Sequence, residues 1–173
     1  MFDMIFKILE RIFLIFSNIL LSLPFTILGF SKFNPSEIKA DWQPPGYVFG
    51  IVWPILYFLF SVINIRTMNS TKLSDIIKTL ILNQSLKEAL LQTCWLAITS
   101  NYGVERKFIQ YILGGLVMVY LVYYCYLIRR PLFANNDPTS FYLYLPYSLW
   151  IVFACILNIQ LIYKYYKLDK PLF

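Results

Sequence analysis

One stretch of the chain spaces hydrogen-bonding and charged side chains as residues bordering a binding cavity would. Gln84, Glu88, Gln92, Trp95 and Thr99 recur every three or four residues, which places them along one face of a helix. The run that carries them, from about Ile76 to Tyr102, is mostly apolar and is interrupted by Lys78, Lys87 and Glu88. Ionisable groups at membrane depth turn toward a bundle interior or a water-filled path, so Glu88 and Gln92 are expected to border a cavity or its entrance. The alternative is that Lys87 and Glu88 lie near the interface, with Lys87 reaching outward along its apolar stem.

Other chemistry is excluded by what the chain lacks. It has no histidine, which removes the usual zinc-protease motif, the Ser-His-Asp triad, the Cys-His pair and histidine-ligated haem. Cys94, Cys125 and Cys155 each sit in apolar runs without a close partner; they read as small hydrophobes rather than a disulfide frame or metal cluster. No glycine-rich phosphate loop ending in Lys-Ser or Lys-Thr is present, so no nucleotide-driven energy source is expected. No metal or required cofactor is expected either.

The elements that would position these residues are membrane helices. The 173 residues are 59% hydrophobic and 19% aromatic but only 14% charged, too apolar for a soluble domain of this size. Spans of about 20 residues would use up nearly the whole chain as five crossings, so one membrane domain over 1–173 is expected. The apolar runs are continuous and do not alternate, which favours helices over a β-barrel. The reading is an all-α integral membrane protein, a bundle of five transmembrane helices at about 8–31, 44–66, 76–102, 107–129 and 140–165. The first run is too long for a cleaved signal sequence, lacks a basic start and is expected to stay attached. Pro44 and Pro45 suit an extended approach and a first helical turn, and the fourth span is expected to end at Arg129-Arg130-Pro131.

Five crossings put the termini on opposite sides. Basic residues divide evenly, with Lys7, Arg11, Arg66, Lys72, Lys78, Arg129 and Arg130 on one side and Lys32, Lys39, Arg106, Lys107, Lys164, Lys167 and Lys170 on the other. The positive-inside rule therefore assigns no orientation. The net charge of +6 is spread over segment ends without forming a stripe, which points to lipid headgroups and not to nucleic acid. Gly46 and Gly50 form a Gly-x-x-x-Gly pair that suits a homodimer or packing within the bundle. The sequon Asn69-Ser70-Thr71 lies in a loop.

The segment Trp42-Gln43-Pro44-Pro45-Gly46-Tyr47-Val48-Phe49-Gly50-Ile51-Val52-Trp53-Pro54-Ile55-Leu56-Tyr57 resembles the second-helix signature of the TspO/MBR family of translocator proteins, also known as tryptophan-rich sensory proteins and peripheral-type benzodiazepine receptors. Pro146-Tyr147, Trp150, Phe153-Ala154 and Leu157-Asn158 are similar to its fifth-helix pattern Pro-Tyr-x-x-Trp-x-x-Phe-Ala-x-x-Leu-Asn. Trp42, Trp53, Trp95 and Trp150 all fall where the family pattern has tryptophan, and the resemblance runs from about Pro24 to Tyr163. The third-helix pattern Gln-Leu-x-Leu-Asn-x-x-Trp departs: Glu88 and Gln92 stand for its Gln and Asn.

This resemblance implies five helices around a cavity lidded by the first connecting loop, here Ser31 to Gln43, with Trp42, Pro44 and Pro45 in the lid. It implies tetrapyrrole ligands, porphyrin or haem, with cholesterol second. Carried over by position, the ligand-binding set is Phe49, Gly50, Val52, Trp53, Tyr57, Gln92, Trp95, Trp150, Ala154, Leu157 and Asn158. A tetrapyrrole is a flat aromatic plate with acidic tails, which calls for indole or phenol faces and nearby cations. Trp53, Tyr57 and Trp150 could supply the faces, and Lys32 or Lys39 the cations. Plain packing is the competing reading of Trp53 and Trp150. Without histidine, a haem would be held by stacking or by a Tyr, Met or Cys ligand. The stretch Leu161 to Lys167 fits the loose cholesterol pattern only with a shift.

Three functions are compatible with this reading: a receptor or carrier of hydrophobic ligands, a light-dependent porphyrin-degrading activity involving Trp53 and Trp150, and a non-transporting sensor or scaffold. The resemblance implies a mitochondrial outer membrane for an animal protein and a cell-envelope membrane for a bacterial one.

Overall fold

The computed structural model describes residues 5, 8–17, 19–21, 39–99 and 107–168. Every regular element among them is helical. Residues 8–17 and 19–21 form α1. They are followed by α2 (Gly46–Asn69), α3 (Asp75–Thr99), α4 (Lys107–Tyr124), a π turn (Cys125–Arg129), α5 (Arg130–Asn136) and α6 (Pro138–Leu168). Residues 22–31 and 100–102 of the expected first and third helices lie outside the described residues, as do Lys32 and most of the expected lid.

The helix boundaries follow from local chemistry. Pro45 precedes α2 in an extended conformation, and its carbonyl accepts from Val48 N at 2.9 Å. Two prolines there forfeit no helical hydrogen bond. After α2, Ser70 Oγ accepts from the backbone of Lys72 and Leu73, each at 3.3 Å, and Ser74 Oγ accepts from Ile77 N at 3.4 Å. The short connection makes α2 and α3 antiparallel neighbours. Asp137 alone separates α5 from α6. Its carboxylate accepts from Ser140 N at 3.2 Å and Ser140 Oγ at 2.6 Å, while Pro138 opens the helix, a combination of cap and first-turn proline that starts it sharply.

The fourth rod differs from expectation. It does not stop at Arg129, because Arg130 keeps α-helical dihedrals and the chain runs on to Asn136. Counted by element, the described residues hold six α-helices and a π turn instead of five helices. The reason lies in the side chains. Leu121, Cys125, Arg129 and Phe133 are all buried, at steps of four. In a regular helix each such step overshoots a full turn by about 40°. Three steps would carry Phe133 about 120° away from Leu121, and one wide turn absorbs most of that drift.

Three of the described helical stretches are long and apolar enough to cross a membrane: Gly46–Asn69, Ile109–Asn136 and Pro138–Lys167. Their outward faces carry Ile51, Ile55 and Phe58, then Leu113, Leu116 and Leu127, then Leu149 and Ile156, all exposed. α3 is more polar, with Asp75, Lys78, Lys87 and Glu88, and it packs against α2 and α4 while α6 packs against α2 and α4. The core they share centres on Leu56, Phe60, Ile81, Met118, Tyr144 and Ile151.

Close approach is built into α4. A Cβ on Gly114 would stand 2.9 Å from Thr99 Cγ2, and one on Gly115 would stand 2.9 Å from Ile162 Cδ1 and 3.0 Å from Asn158 Nδ2. The two glycines let α3 and α6 approach α4 on adjoining faces. Gly46, by contrast, has nothing within 4 Å of its would-be Cβ, and Gly50 is exposed. Gly46 and Gly50 therefore do not pack helices within the bundle; among the described residues Gly114 and Gly115 do.

Candidate functional site

Three helices bring three indoles together. Trp53 of α2 lies 6.5 Å from Trp95 of α3 and 6.2 Å from Trp150 of α6, ring centre to ring centre, the latter edge-on at 89°. Tyr57, one turn along α2, stacks on Trp53 at 5.7 Å. Phe49 meets Trp150 edge-on at 5.6 Å, and Phe153 stacks on Trp150 at 5.0 Å. The Nε1 atoms of Trp95 and Trp150 are buried and have no hydrogen-bond partner among the described residues. A buried donor left unpaired costs about 1–3 kcal/mol, so the cluster carries two N–H groups ready for an acceptor.

The segment before α2 closes over one side of this cluster. Trp42 packs edge-on against Phe153 at 5.5 Å, with Pro44 half-buried and Pro45 exposed. Gln43 folds back, its Oε1 accepting from Ala40 N at 3.2 Å. Asp41 accepts from Lys164 Nζ and from Gln160 Nε2, the latter at 3.2 Å, and Lys164 also donates to the Lys39 carbonyl at 2.9 Å. These contacts strap the segment to α6. The sequence reading picked out Trp42 and the prolines and missed Asp41, Gln160 and Lys164.

The other expected residues divide into two groups. Val52 packs beside the core that holds Ala154, and Gln92 is buried directly beneath the indoles. Gln92 Nε2 donates to Tyr57 Oη at 2.7 Å, and Tyr147 Oη donates to Gln92 Oε1 at 3.0 Å. Leu157 and Asn158 belong to a neighbouring cluster, joined to the indoles through Phe49. Leu157 packs with Ala40 and Leu161, and Asn158 Nδ2 donates to the Tyr111 carbonyl at 3.0 Å, tying α6 to α4. Gly50 faces outward. A cavity of about 530 Å³ lies at the far end of α2, lined by Arg66, Asn69, Lys72 and Asp137 among others, and holds none of the expected site residues.

One turn further down lies a charged centre. Glu88 and Arg129 are both 0% exposed, and Arg129 Nε stands 3.2 Å from Glu88 Oε2. Glu88 Oε1 accepts from Cys125 Sγ at 3.0 Å and from the Tyr144 hydroxyl. Arg129 also donates from Nη1 to the Ile81 carbonyl and from Nη2 to Ser85 Oγ, both at 2.8 Å. Its guanidinium lies 4.4 Å from the Phe133 ring centre, with Tyr144 at 5.6 Å and Phe60 at 6.0 Å. Ser85 passes the chain on to Asn64 Oδ1 at 2.8 Å, and Asn64 Nδ2 donates to the Leu14 carbonyl of α1 at 2.7 Å.

Glu88 thus faces the bundle interior. Lys87 beside it is exposed. Arg129, expected at an aqueous end, is the partner that makes the buried carboxylate tolerable, because a buried charge survives only when paired and hydrogen-bonded. The four-residue spacing of Leu121, Cys125, Arg129 and Phe133 was the available signal.

Among the described residues no group of three or more Cys, Asp or Glu side chains is arranged to hold a metal ion. What the arrangement brings together is aromatic surface from Trp53, Trp95 and Trp150, two buried indole N–H groups and the hydrogen-bonded Gln92 beside them.

Comparison with known proteins agrees with the motif evidence. Protein CrtK of Rhodobacter capsulatus is 25% identical over 134 residues, covering 78% of each chain. Tryptophan-rich protein TspO of Chlorobaculum tepidum is 23% identical over 138 residues, covering 80% of this chain and 82% of that one. The TspO/MBR family profile matches residues 12–164, nearly the whole of the helical chain, and the protein therefore belongs to the TspO/MBR family.

Proposed function

We propose that this protein is a five-span membrane receptor or carrier for flat hydrophobic ligands, tetrapyrroles before sterols. The observation that carries the reading is the meeting of Trp53, Trp95 and Trp150 from three helices, with two buried indole N–H groups lacking acceptors. A porphyrin offers what that cluster lacks: a π face for the rings and carboxylate acceptors for the donors. A sterol fills space, and its single hydroxyl can answer only one of the two donors. The strap from Lys39 to Pro45, with Trp42 edge-on to Phe153 and Lys164 bound to Asp41, supports a covering role for this segment.

The test is titration of the purified protein with protoporphyrin IX and, separately, with cholesterol, following tryptophan quenching and thermal unfolding. At a free ligand concentration about 100 times Kd, mass action adds about 2.7 kcal/mol, which for a chain of this length raises Tm by about 5–11 °C. Protoporphyrin is expected to quench and stabilise more than cholesterol. Two silent titrations would overturn the reading and leave a scaffold role. Illuminating the porphyrin complex tests the second reading, in which Trp53 and Trp150, in edge contact at 6.2 Å, take part in degrading the ligand. That reading requires loss of porphyrin absorbance that disappears in a Trp53→Phe, Trp150→Phe double variant.

A further inference from the structure

The charged centre and the indole cluster are joined turn by turn on three helices. On α3 the series is Glu88, Gln92, Trp95; on α6 it is Tyr144, Tyr147, Trp150; on α2, running the other way, it is Phe60, Tyr57, Trp53. Each step is three or four residues, one helical turn. The three members of each layer touch. Glu88 accepts from Tyr144, whose ring lies 5.7 Å from Phe60. Gln92 bridges Tyr57 and Tyr147, and the indoles form the third layer. Adjacent layers are also in contact: Tyr144 packs on Tyr147 at 5.6 Å, Phe60 on Tyr147 at 4.6 Å and Tyr57 on Trp53 at 5.7 Å.

We propose that Glu88 and Arg129 are a positioning pair for the indole site, fixing the orientation of Trp53 and hence ligand affinity through Tyr144, Tyr147, Gln92 and Tyr57. The inference rests on the reading of that cluster as the ligand site. Its physical basis is the scarcity of alternative partners. Inside a membrane bundle a phenol or carboxamide that loses its acceptor has no water to turn to, so each hydrogen bond dictates a ring orientation. Glu88 is the only anion within reach of Tyr144 among the described residues, and the π turn brings both Arg129 and Cys125 to it. Glu88 Oε1, the oxygen not paired with Arg129 Nε, is the acceptor for the first ring of a ladder that ends at the indoles.

The experiment compares wild type with Glu88→Met, Arg129→Met and with Tyr144→Phe. The double variant removes both charges at once, a replacement that buried ion pairs commonly tolerate. Tyr144→Phe keeps the pair and the ring and deletes only the hydroxyl. Protoporphyrin IX affinity is read by tryptophan quenching, and the tryptophan emission spectrum is recorded without ligand. The double variant is expected to unfold within a few degrees of wild type, yet to bind about tenfold more weakly with a shifted emission maximum; Tyr144→Phe is expected to lose about three- to tenfold, the effect of one hydrogen bond. A folded double variant with unchanged affinity and emission makes the pair merely structural and overturns the proposal. If the double variant does not fold, Tyr144→Phe decides, and unchanged affinity overturns it. If wild type itself fails to bind protoporphyrin, the ligand reading falls, and the emission spectra alone then judge the positioning claim.

Discussion

Glu88→Gln removes one charge from a pair in which both side chains are 0% exposed. The new carboxamide can still accept from Tyr144 or Cys125, but it presents two N–H donors where Arg129 Nε now finds an acceptor at 3.2 Å. Arg129 keeps its bonds to the Ile81 carbonyl and Ser85 and its three aromatic faces. Its charge, however, is left uncompensated. Breaking a buried pair from one side costs about 3–5 kcal/mol, and for a chain of this length about 2–4 °C of Tm follows each kcal/mol. A fall of about 6–20 °C is therefore expected, measured by thermal unfolding in one detergent with tryptophan emission as the probe. Adding Arg129→Met to a Glu88→Met background should recover most of a comparable loss. A single variant that melts within about 2 °C of wild type would show that the two groups do not depend on each other, and the account of the charged centre would be wrong.

Two further outcomes follow from the geometry. Gly114→Ala brings a Cβ to 2.9 Å from Thr99 Cγ2, a methyl that cannot swing away cheaply because Thr99 Oγ1 donates to the Trp95 carbonyl at 2.8 Å. Overpacking of about 1–3 kcal/mol, offset by about 1 kcal/mol of helix propensity, should leave Gly114→Ala less stable than wild type; Gly115→Ala should lose stability too, because its Cβ meets Ile162 Cδ1 at 2.9 Å and Asn158 Nδ2, held to the Tyr111 carbonyl, at 3.0 Å. Either variant matching wild type in chemical unfolding would contradict this. At Asp137, partial burial raises the carboxyl pKa, but the bonds from Ser140 and the Arg66 guanidinium outweigh it and hold the group below the usual carboxylate range. Its stabilisation is therefore present above about pH 4 and is lost as pH falls through the lowered value. Asp137→Asn keeps a capping side chain, so it should cost about 1 kcal/mol near neutrality and converge with wild type in acid; a gap that persists in acid would refute the assignment.

The legible parts of the fold were those written in short-range pattern. The uncharged runs around Trp53 and Trp150 and the paired prolines before Gly46 describe helices α2 and α6 almost to their ends, since hydropathy and proline act over a few residues. The motif residues Trp53, Tyr57, Trp95 and Trp150 do converge, and Gln92 lies under them. Arg129 was misplaced because Arg-Arg-Pro ordinarily marks where a span meets water. Only the four-residue spacing of Leu121, Cys125, Arg129 and Phe133 contradicted that reading, and only the π turn explains it. The spacing of Gly46 and Gly50 states that they share a face but not what that face meets, and within the bundle the close approaches fall instead at Gly114 and Gly115. The tyrosine partners of Gln92 and Glu88 come from other helices, out of reach of any reading of α3 alone.

The departures from the family pattern in α3 look different once their partners are known. Where the pattern has Gln, this chain has Glu88, and a carboxylate at that depth is untenable alone. It arrives with Arg129, delivered inward by a π turn, and with Tyr144 and Cys125 as further donors. Where the pattern has Asn, this chain has Gln92, one methylene longer, and its carboxamide spans from Tyr57 to Tyr147. Each substitution is matched by a group on another helix, so the two changes belong to one interior solution. A reversion of Glu88 to Gln alone should therefore damage the protein, whereas reverting it together with Arg129→Met should be far milder. On the proposed reading, ligand affinity is expected to depend on the whole ladder from the charged pair to the indoles, so grafting the tryptophans alone onto a relative is expected not to transfer it.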